Sequence, residues 1–514
     1  MMKAPLFQKM KTIINLFIVG TLGLTASCKL DIKPTDISGA SSQLKDVTGI
    51  QYATNGTYAE LASYNYYRFF HVLAEYSSDD VVWDNPSSDP AWNIYNYNQY
   101  TSISPALQFW QQAYYSIYAA NNIIVNIKDG RSSATDQLKG ENLFLRALVH
   151  FDLVRLYSKP YTQDSLGQLG IVIRDSTYFQ DSPKRSTVKQ TYSFILHDLI
   201  HAARLMTQVK TGSYATKAAA YALLSRVNLY MNRNTQAIAY ADSVINSGQY
   251  QLLSGTAYSQ YFTLNPDMNK ETIFAIHRTE KQDLGAGQYE LGDLYNTLNG
   301  GYGEMHPSNY YLSLINQHPE DLRLNFINPE YALDSTGSKI ALKPGTADSS
   351  LIEYKAGFAY HMNINGHNWP QIDITKYSNQ EGFATLASPV ILRLAEMYLN
   401  RAEANAKLGN LQAAIDDINL IRTRAGLSGN SLYTLGDLKG HTTVLLVVLE
   451  ERRLELAWEG QRKFDLYRNN LPMNRTYPGS QQRVMIMPDN PFILIPVPLG
   501  EISLNHNLVQ NPGY

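Results

Sequence analysis

The stretch ILRLAEMYLNRAEANAKLGNLQAAIDDINLIRTRAG, residues 391–426, predicts two helices joined by a short turn. Apolar residues recur at helical spacing on both sides of the Gly409-Asn410 pair, and glycine or asparagine commonly ends a helix. Alanines fill the positions where the helices would cross, and small side chains let two helix backbones approach closely. The stretch therefore predicts a tightly packed antiparallel helix pair.

A second helix pair with the same pattern precedes it, at about 216–231 and 235–247. Placing Gln236 on Gln412 aligns the two copies at an offset of 176 positions. This pairing is tetratricopeptide-like, and such units need neighbours to cover their apolar faces. The copies are too far apart for a simple tandem array, so we expect several helix pairs within one bundle.

Helical patterns dominate the rest of the chain. They cover 109–127, 140–161 and 187–206, where Thr187 is a candidate N-cap. Three irregular regions interrupt the helical part of the chain, at 77–105, 250–310 and 329–388. They contain short strand-like pieces such as ETIFAIHRT. The fold class is predicted to be mainly α, with tetratricopeptide-like helix pairs, long loops and small β insertions.

The N-terminus has the features of an export signal that ends at Cys28, the single cysteine of the 514 residues. Three lysines precede the apolar run INLFIVGTLGL and then TAS-C. We predict a signal peptide at 1–27, a lipid attached to Cys28 and a flexible tether at 28–44. The alternatives are an ordinary free cysteine or a single-pass helix, for which the run is short. Thr25 stands where such lipid-attachment motifs usually carry leucine.

Composition excludes several classes of protein. Removal of 1–27 leaves 40 basic against 45 acidic residues, which does not suit nucleic-acid binding. One cysteine permits neither an intrachain disulfide nor a cysteine-based zinc site. Tyrosine is unusually frequent, at 37 residues against 16 phenylalanines. Because tyrosine joins an apolar ring to a polar tip, this excess suits half-exposed contact surfaces.

The stretch EERRLELAWEGQRKFDLYR, 450–468, places Glu451, Glu455 and Glu459 on one helical face. Such carboxylates suggest acid–base chemistry, but Arg452, Arg453, Arg462 and Arg468 are interleaved with them. Guanidinium groups pair with carboxylates through two parallel hydrogen bonds. We therefore predict a structural ion network here, and a core position for Trp458.

Metal and cofactor signals are weak. His197 and His201 are four residues apart, as in a zinc helix, but Asp198 replaces the glutamate such sites use as base. The glycine-rich loop 285–304 lacks the lysine of a phosphate-binding loop. We predict neither a metal nor a cofactor.

Ligand-binding candidates lie in the irregular regions. Aromatic rings next to carboxylates and amides suit polar, ring-shaped or extended ligands, because the rings offer stacking faces and the polar groups accept hydrogen bonds. The candidates are Asp79, Trp83, Asp84, Trp92, Tyr95, Tyr302 and Trp369. The alternative is that some of these rings only anchor the loops.

Four blocks of sequence resemble the SusD/RagB family of outer-membrane nutrient-binding lipoproteins of Bacteroidetes. They occur in the family's order and span most of the chain. The blocks are GENLFLRALVHFDLVRLY (140–157), the opening stretch (391–426), EERRLELAWEGQRKFDLYR (450–468) and IPVPLGEISLNHNLVQNPGY (495–514). The resemblance implies a SusD-like α-helical body at 45–514, with an N-terminal part to about 250 and a C-terminal part from about 270.

The resemblance also implies a role without catalysis. Such proteins are anchored in the outer membrane by lipid and face outward. They capture oligosaccharides for a SusC-like TonB-dependent transporter. No binding position carries over from the family by motif. Capture of oligopeptides, a secreted glycoside hydrolase and a helical scaffold that binds only protein remain as alternatives.

Overall fold

The computed structural model describes residues 44–514 apart from 85–86, 167–168, 179–180, 284–289, 297–300, 329–330, 334–338, 342–360, 365–366 and 371. Cys28, the signal peptide and nearly all of the tether lie outside the described residues, so those assignments stay predictions. Residues Asp46–Tyr514 form one compact unit.

Helices make up most of the described chain, which confirms the predicted fold class. They are α1 (Val47–Ala62), α2 (Tyr64–Glu75), α3 (Pro90–Tyr95), α4 (Ser104–Ile124), α5 (Ser133–Tyr157), α6 (Val188–Leu205), α7 (Lys217–Tyr230), α8 (Asn234–Ile245), α9 (Gly255–Ser259), α10 (Glu280–Asp283), α11 (Leu291–Tyr295), α12 (Asn309–Ile315), α13 (Leu394–Leu408), α14 (Leu411–Arg424), α15 (Val444–Glu455), α16 (Arg462–Arg468) and α17 (Leu499–Leu504).

The described strands are short and pair only in twos, as expected of β insertions in a helical body. They are β1 (Val81–Trp83), β2 (Thr272–Ala275), β3 (Met305–Pro307), β4 (Ile327–Asn328), β5 (Tyr331–Leu333), β6 (Lys339–Ala341), β7 (His361–Ile364), β8 (His367–Pro370), β9 (Asp373–Ile374), β10 (Val390–Arg393), β11 (Met473–Asn474) and β12 (Met485–Ile486). The antiparallel pairs are β1–β3, β2–β10, β4–β9, β5–β6, β7–β8 and β11–β12.

Local sequence sets the helix ends. Thr187 begins α6 with a reciprocal capping box, in which its hydroxyl accepts from the Gln190 amide and the Gln190 side chain accepts from the Thr187 amide. The predicted N-cap is thus confirmed. Gly409 ends α13 with φ of +84°, a left-handed conformation that glycine adopts without steric cost.

The two predicted helix pairs are α7–α8 and α13–α14, and they lie side by side. Helix α8 packs against α13, so copies far apart in sequence form a continuous stack. The Arg401 guanidinium donates to Asp242 on α8 at 2.6 Å and to Asp417 on α14 at 2.7 and 2.9 Å. Buried alanines at the crossings, such as Ala237 and Ala402, allow the close approach.

Helix α5 runs through the middle of the core and packs against α1, α4 and α6. Because it is covered on nearly every side, its polar side chains need partners inside the protein. Arg146 donates to Asp198 of α6 at 2.7 and 2.8 Å and to Asn121 of α4 at 2.7 Å. This arrangement ties three helices together through one guanidinium.

The predicted ion network at 450–468 is present, but most of its partners come from other elements. Glu451 accepts from Arg323 at 2.6 Å and from Arg422 at 2.9 Å. Glu455 binds Arg393 and Arg424 in close ion pairs. All of these side chains are buried.

The arginines of the same stretch reach different carboxylates. Arg452 donates to Asp465 at 2.8 Å, and Arg468 forms a close pair with Glu403 of α13. Arg453 pairs closely with Asp80, just before β1. Trp458 is buried, as predicted, and its indole N–H donates to the Asp80 carbonyl at 3.3 Å. The stretch therefore joins the helix stack to the loop that precedes β1.

No helix in the described part of the chain is both long enough and apolar enough to cross a membrane.

Replacement of Glu455 by glutamine tests the network. The change removes one carboxylate from Arg323, Arg393 and Arg424, which keep other acidic partners. The excess buried positive charge that remains costs about 3–5 kcal/mol. We expect the free energy of unfolding to fall by about this amount. Glu450→Gln on the same helix is the matched control, because Glu450 is only half-buried and pairs with His441 at 3.0 Å; its effect should stay below about 1 kcal/mol. Equal shifts in denaturant unfolding of the two variants would contradict the role of the network.

Candidate functional site

The short β1–β3 ladder brings two of the predicted ligand loops together. Val82 lies opposite His306 and Trp83 opposite Met305. Beyond the ladder, the Asp84 amide donates to the Glu304 carbonyl at 3.0 Å. The loop that contains Asp84 and Trp92 therefore emerges beside the loop that contains Tyr302, although more than 200 residues separate them.

Trp83, Trp92 and Tyr95 form one aromatic cluster. The ring centroids are 6.0 Å apart for Trp83 and Trp92, 6.0 Å for Trp83 and Tyr95, and 5.9 Å for Trp92 and Tyr95. Trp83 is only 2% exposed and Tyr95 is fully buried, whereas Trp92 is half-buried. Trp83 and Tyr95 thus form the base on which the accessible ring of Trp92 rests.

The loop at 480–481 supports this cluster from the C-terminal part of the chain. The Tyr95 hydroxyl donates to Gln481 Oε1 at 3.0 Å. The Ser480 hydroxyl donates to the Trp83 carbonyl at 3.3 Å. These bonds hold the aromatic cluster to a segment that the sequence did not single out.

Asp79 lies behind the cluster and is buried. Arg462 donates to its two carboxylate oxygens at 2.8 and 2.9 Å. Burial raises the pKa of Asp79, but the guanidinium groups of Arg453 and Arg462 outweigh burial and lower it to about 2. The carboxylate is ionised at neutral pH and serves the ion network.

Asp84 is more accessible, with its side chain 30% exposed. The buried His306 lies under it, with Nε2 3.8 Å from the Asp84 carboxylate. The other ring nitrogen, Nδ1, is 3.0 Å from the Ile372 carbonyl, so it carries the proton and donates there. Asp84 thus lies at the edge of the aromatic cluster as a hydrogen-bond acceptor.

Tyr302 lies across the ladder and is 48% exposed. Its backbone amide donates to the Asp293 carbonyl at 2.7 Å, which fixes the loop to α11. The Arg68 guanidinium of α2 lies 5.9 Å from the centre of its ring. The accessible phenol is thereby held between α2 and the end of the ladder.

Sequence reasoning missed Arg68 and Glu304 at this site. Burial raises the pKa of Glu304, which accepts from the Tyr76 hydroxyl at 2.7 Å. Arg68 is the one charged residue between Tyr64 and Val72, a run rich in aromatic residues, and that isolation was a signal available in the sequence. Glu304 had no comparable signal.

Trp369 lies on β8, opposite Met362 of β7. The chain runs from β8 to Ile372, which accepts the His306 hydrogen bond, and then to β9. The ladder is thus in contact with Ile372, two residues beyond β8. Direct ligand contact by any of the seven candidates stays a prediction.

The two histidines that resemble a zinc helix in sequence, His197 and His201, lie on α6. His201 Nε2 lies 2.7 Å from Asp129, and Asp198 is paired with Arg146. Within the described residues, no group of three or more histidine, cysteine, aspartate or glutamate side chains is arranged to hold a metal ion.

Comparisons with known proteins identify the family. The model of the SusD family matches residues 270–514, and a model described as starch-binding associating with outer membrane matches residues 30–229. A SusD-like protein P2 of Formosa agariphila is 25% identical, over 97% of this chain and 99% of that protein. A starch-binding protein SusD of Bacteroides thetaiotaomicron is 23% identical, over 87% of this chain and 86% of that protein.

A solved structure agrees in fold over nearly the whole length. The crystal structure of a SusD superfamily protein from Bacteroides thetaiotaomicron superposes with a TM-score of 0.76 at 27% identity, and covers 91% of this chain and 99% of that one. Both halves of the sequence and the complete fold thus point to the same group of proteins. The chain belongs to the SusD/RagB family.

Proposed function

We propose that this protein is a cell-surface lipoprotein that captures oligosaccharides and delivers them to a SusC-like TonB-dependent outer-membrane transporter. The observation that carries the proposal is the β1–β3 ladder, which gathers accessible rings and a carboxylate from separate loops. The relatives add support, since one is named as starch-binding and one matching family model as associating with the outer membrane.

The geometry suits a saccharide. Trp92 and Tyr302 offer accessible aromatic rings on which the C–H face of a sugar can stack. Asp84, at the edge of the cluster, accepts hydrogen bonds from sugar hydroxyls. Trp83 and Tyr95 hold the Trp92 ring in place, so little ordering is needed when a ligand binds.

The burial and the partners of the acidic side chains at the site favour ligand binding over catalysis. A glycoside hydrolase needs two carboxyl groups that flank the scissile bond. Asp79 is buried and engaged by Arg462, Glu304 is buried and accepts from the Tyr76 hydroxyl, and Asp89 accepts from the Ala91 amide at the start of α3. These three acids have structural partners, and Asp84 serves as an accessible acceptor. We therefore propose that the site retains its ligand and does not cleave it.

Single alanine variants of Trp92 and Tyr302 test the binding site. Each change removes a stacking surface, and we expect retention on native gels that contain the bound polysaccharide to weaken at least about tenfold, the equivalent of about 1.4 kcal/mol. Soluble starch, xylan and laminarin form the panel. Tyr52→Ala is the control, because Tyr52 on α1 is 71% exposed and outside the site.

The Trp83→Ala variant distinguishes a residue that supports the aromatic cluster from one that contacts the ligand. Trp83 is buried, so its loss should lower the free energy of unfolding by about 3–5 kcal/mol, whereas Trp92→Ala should cost less. Unchanged retention of both Trp92→Ala and Tyr302→Ala, in protein that still binds a polysaccharide, would refute the proposed site. If the protein binds peptides from a library and retains none of the polysaccharides, oligopeptide capture is favoured.

The lipid anchor is tested by Cys28→Ala. Without the thiol no acyl chain can be attached, so we expect loss of labelling by a palmitate analogue and, in cells that lack the proposed transporter, release of the protein from the membrane fraction. Ser27→Ala, which leaves the thiol in place, is the control. Retention of the Cys28→Ala protein by membranes that lack the proposed transporter would contradict the anchor and leave the saccharide proposal intact.

Delivery to a transporter is tested by co-purification. An affinity tag on the C-terminus, used in mild detergent, should recover a TonB-dependent channel together with the wild-type protein. Recovery of the channel should persist for Trp92→Ala, since this change removes one ring of the proposed saccharide site. Absence of any channel from the purified material would refute the proposed partner.

A further inference from the structure

We infer that the protein carries a second saccharide site, which takes a neutral oligosaccharide in a groove along α4. The groove is bounded by α4, residues 172–178 and 181–182, and α17, and its volume is about 520 Å³. Ligand sites in proteins typically span about 300–1,000 Å³. It shares no residue with the candidate site at the β1–β3 ladder.

One wall of the groove is a row of rings on α4. Trp110, Tyr114 and Tyr118 are spaced four residues apart, so they follow one another along the same helical face. Trp110 is buried and packs edge-on against Tyr157 at 4.9 Å, which makes it the floor. Tyr115, at the rim, is 64% exposed.

The facing wall carries another accessible ring. Tyr178 is 58% exposed and lies across the groove from α4. Two exposed phenols on opposite walls offer stacking surfaces for the two faces of a sugar chain, and their hydroxyls remain at the water boundary. The groove thus combines apolar ring faces with polar tips in a volume of about 520 Å³.

The walls are already fixed in position. The Tyr114 hydroxyl donates to the Val172 carbonyl at 3.0 Å. The Asn121 amide donates to the carbonyls of Arg174 and Ser176 at 3.2 and 2.9 Å, and Arg146 in turn anchors Asn121. Because the core holds the segment in place, a ligand would not need to order it.

The charges of the groove select among saccharides. Among its described lining residues, Arg174 is basic, and Asp181 and Glu501 are acidic. Arg174 and Asp181 form a close ion pair, and Gln111 donates to Glu501 at 3.3 Å. The remaining negative charge disfavours uronic or sulfated chains, while the carboxylate oxygens accept hydroxyl hydrogen bonds. We therefore assign a neutral oligosaccharide.

The choice of saccharide as ligand class rests on the proposed function, but the groove is an independent site. Two separate sites on one protein raise the apparent affinity for a long polysaccharide through multivalency. Short oligosaccharides are expected to bind the two sites as separate molecules, so their stoichiometry counts the sites. This difference provides the test.

The experiment compares four proteins. They are the wild type, a groove variant with Tyr115→Ala and Tyr178→Ala, a loop variant with Trp92→Ala and Tyr302→Ala, and the exposed-tyrosine control Tyr52→Ala. Soluble starch, xylan and laminarin are the neutral probes and polygalacturonate is the anionic one. Hexasaccharides of the retained neutral polymers are titrated by calorimetry, and circular dichroism checks the fold of each variant.

We expect two hexasaccharide equivalents per wild-type chain and one per chain in either variant. Apparent affinity for the polymer should fall at least about tenfold in both variants and remain unchanged in the control. Stronger retention by polygalacturonate than by the neutral polymers would overturn the assigned ligand class.

The remaining outcomes separate the two proposals. A groove variant that matches the wild type on every retained glycan overturns the second site and leaves the loop site standing. Loss of binding only in the groove variant supports the groove and overturns the loop site. Failure of the wild type to bind any probe overturns both.

Discussion

Buried pairing between carboxylates and guanidinium groups around α15 and α16 is the interaction on which the rest of the structure depends. A carboxylate or guanidinium taken out of water costs several kcal/mol unless it is paired and hydrogen-bonded. Glu455 is buried among Arg393 of β10, Arg424 of α14 and the more distant Arg323. These partners satisfy one another only when three distant parts of the chain are correctly docked, so the network favours one arrangement.

The same network reaches the candidate site. Arg453 and Arg462 hold Asp80 and Asp79, the residues directly before β1. The strand that begins at Val81 fixes Trp83 and, through it, the ring of Trp92. Electrostatics in the helical body therefore sets the position of rings in a loop. This link explains why Asp79, chosen from its neighbours in sequence as a ligand contact, has its carboxylate inside the network.

Tyrosine serves both the core and the surface. Several buried phenols donate to buried carboxylates, among them Tyr66 to Asp152 at 2.7 Å and Tyr258 to Glu455 at 2.8 Å. These bonds satisfy acidic groups inside the protein, so part of the tyrosine excess belongs to the core. Other tyrosines, such as Tyr115, Tyr178 and Tyr302, have their rings exposed at the surface.

The sequence by itself determined the helix pairs, the cap at Thr187, the family and the presence of an ion network at 450–468, because periodicity, capping residues and charge spacing are local. It could not show that α8 packs on α13, or that Glu451 binds Arg323 and Arg422, since those partners come from distant positions. It also could not separate buried Trp83 from half-buried Trp92, because both lie in the same polar loop. Only the tertiary structure decided these points, since burial and pairing depend on which distant segments cover a side chain.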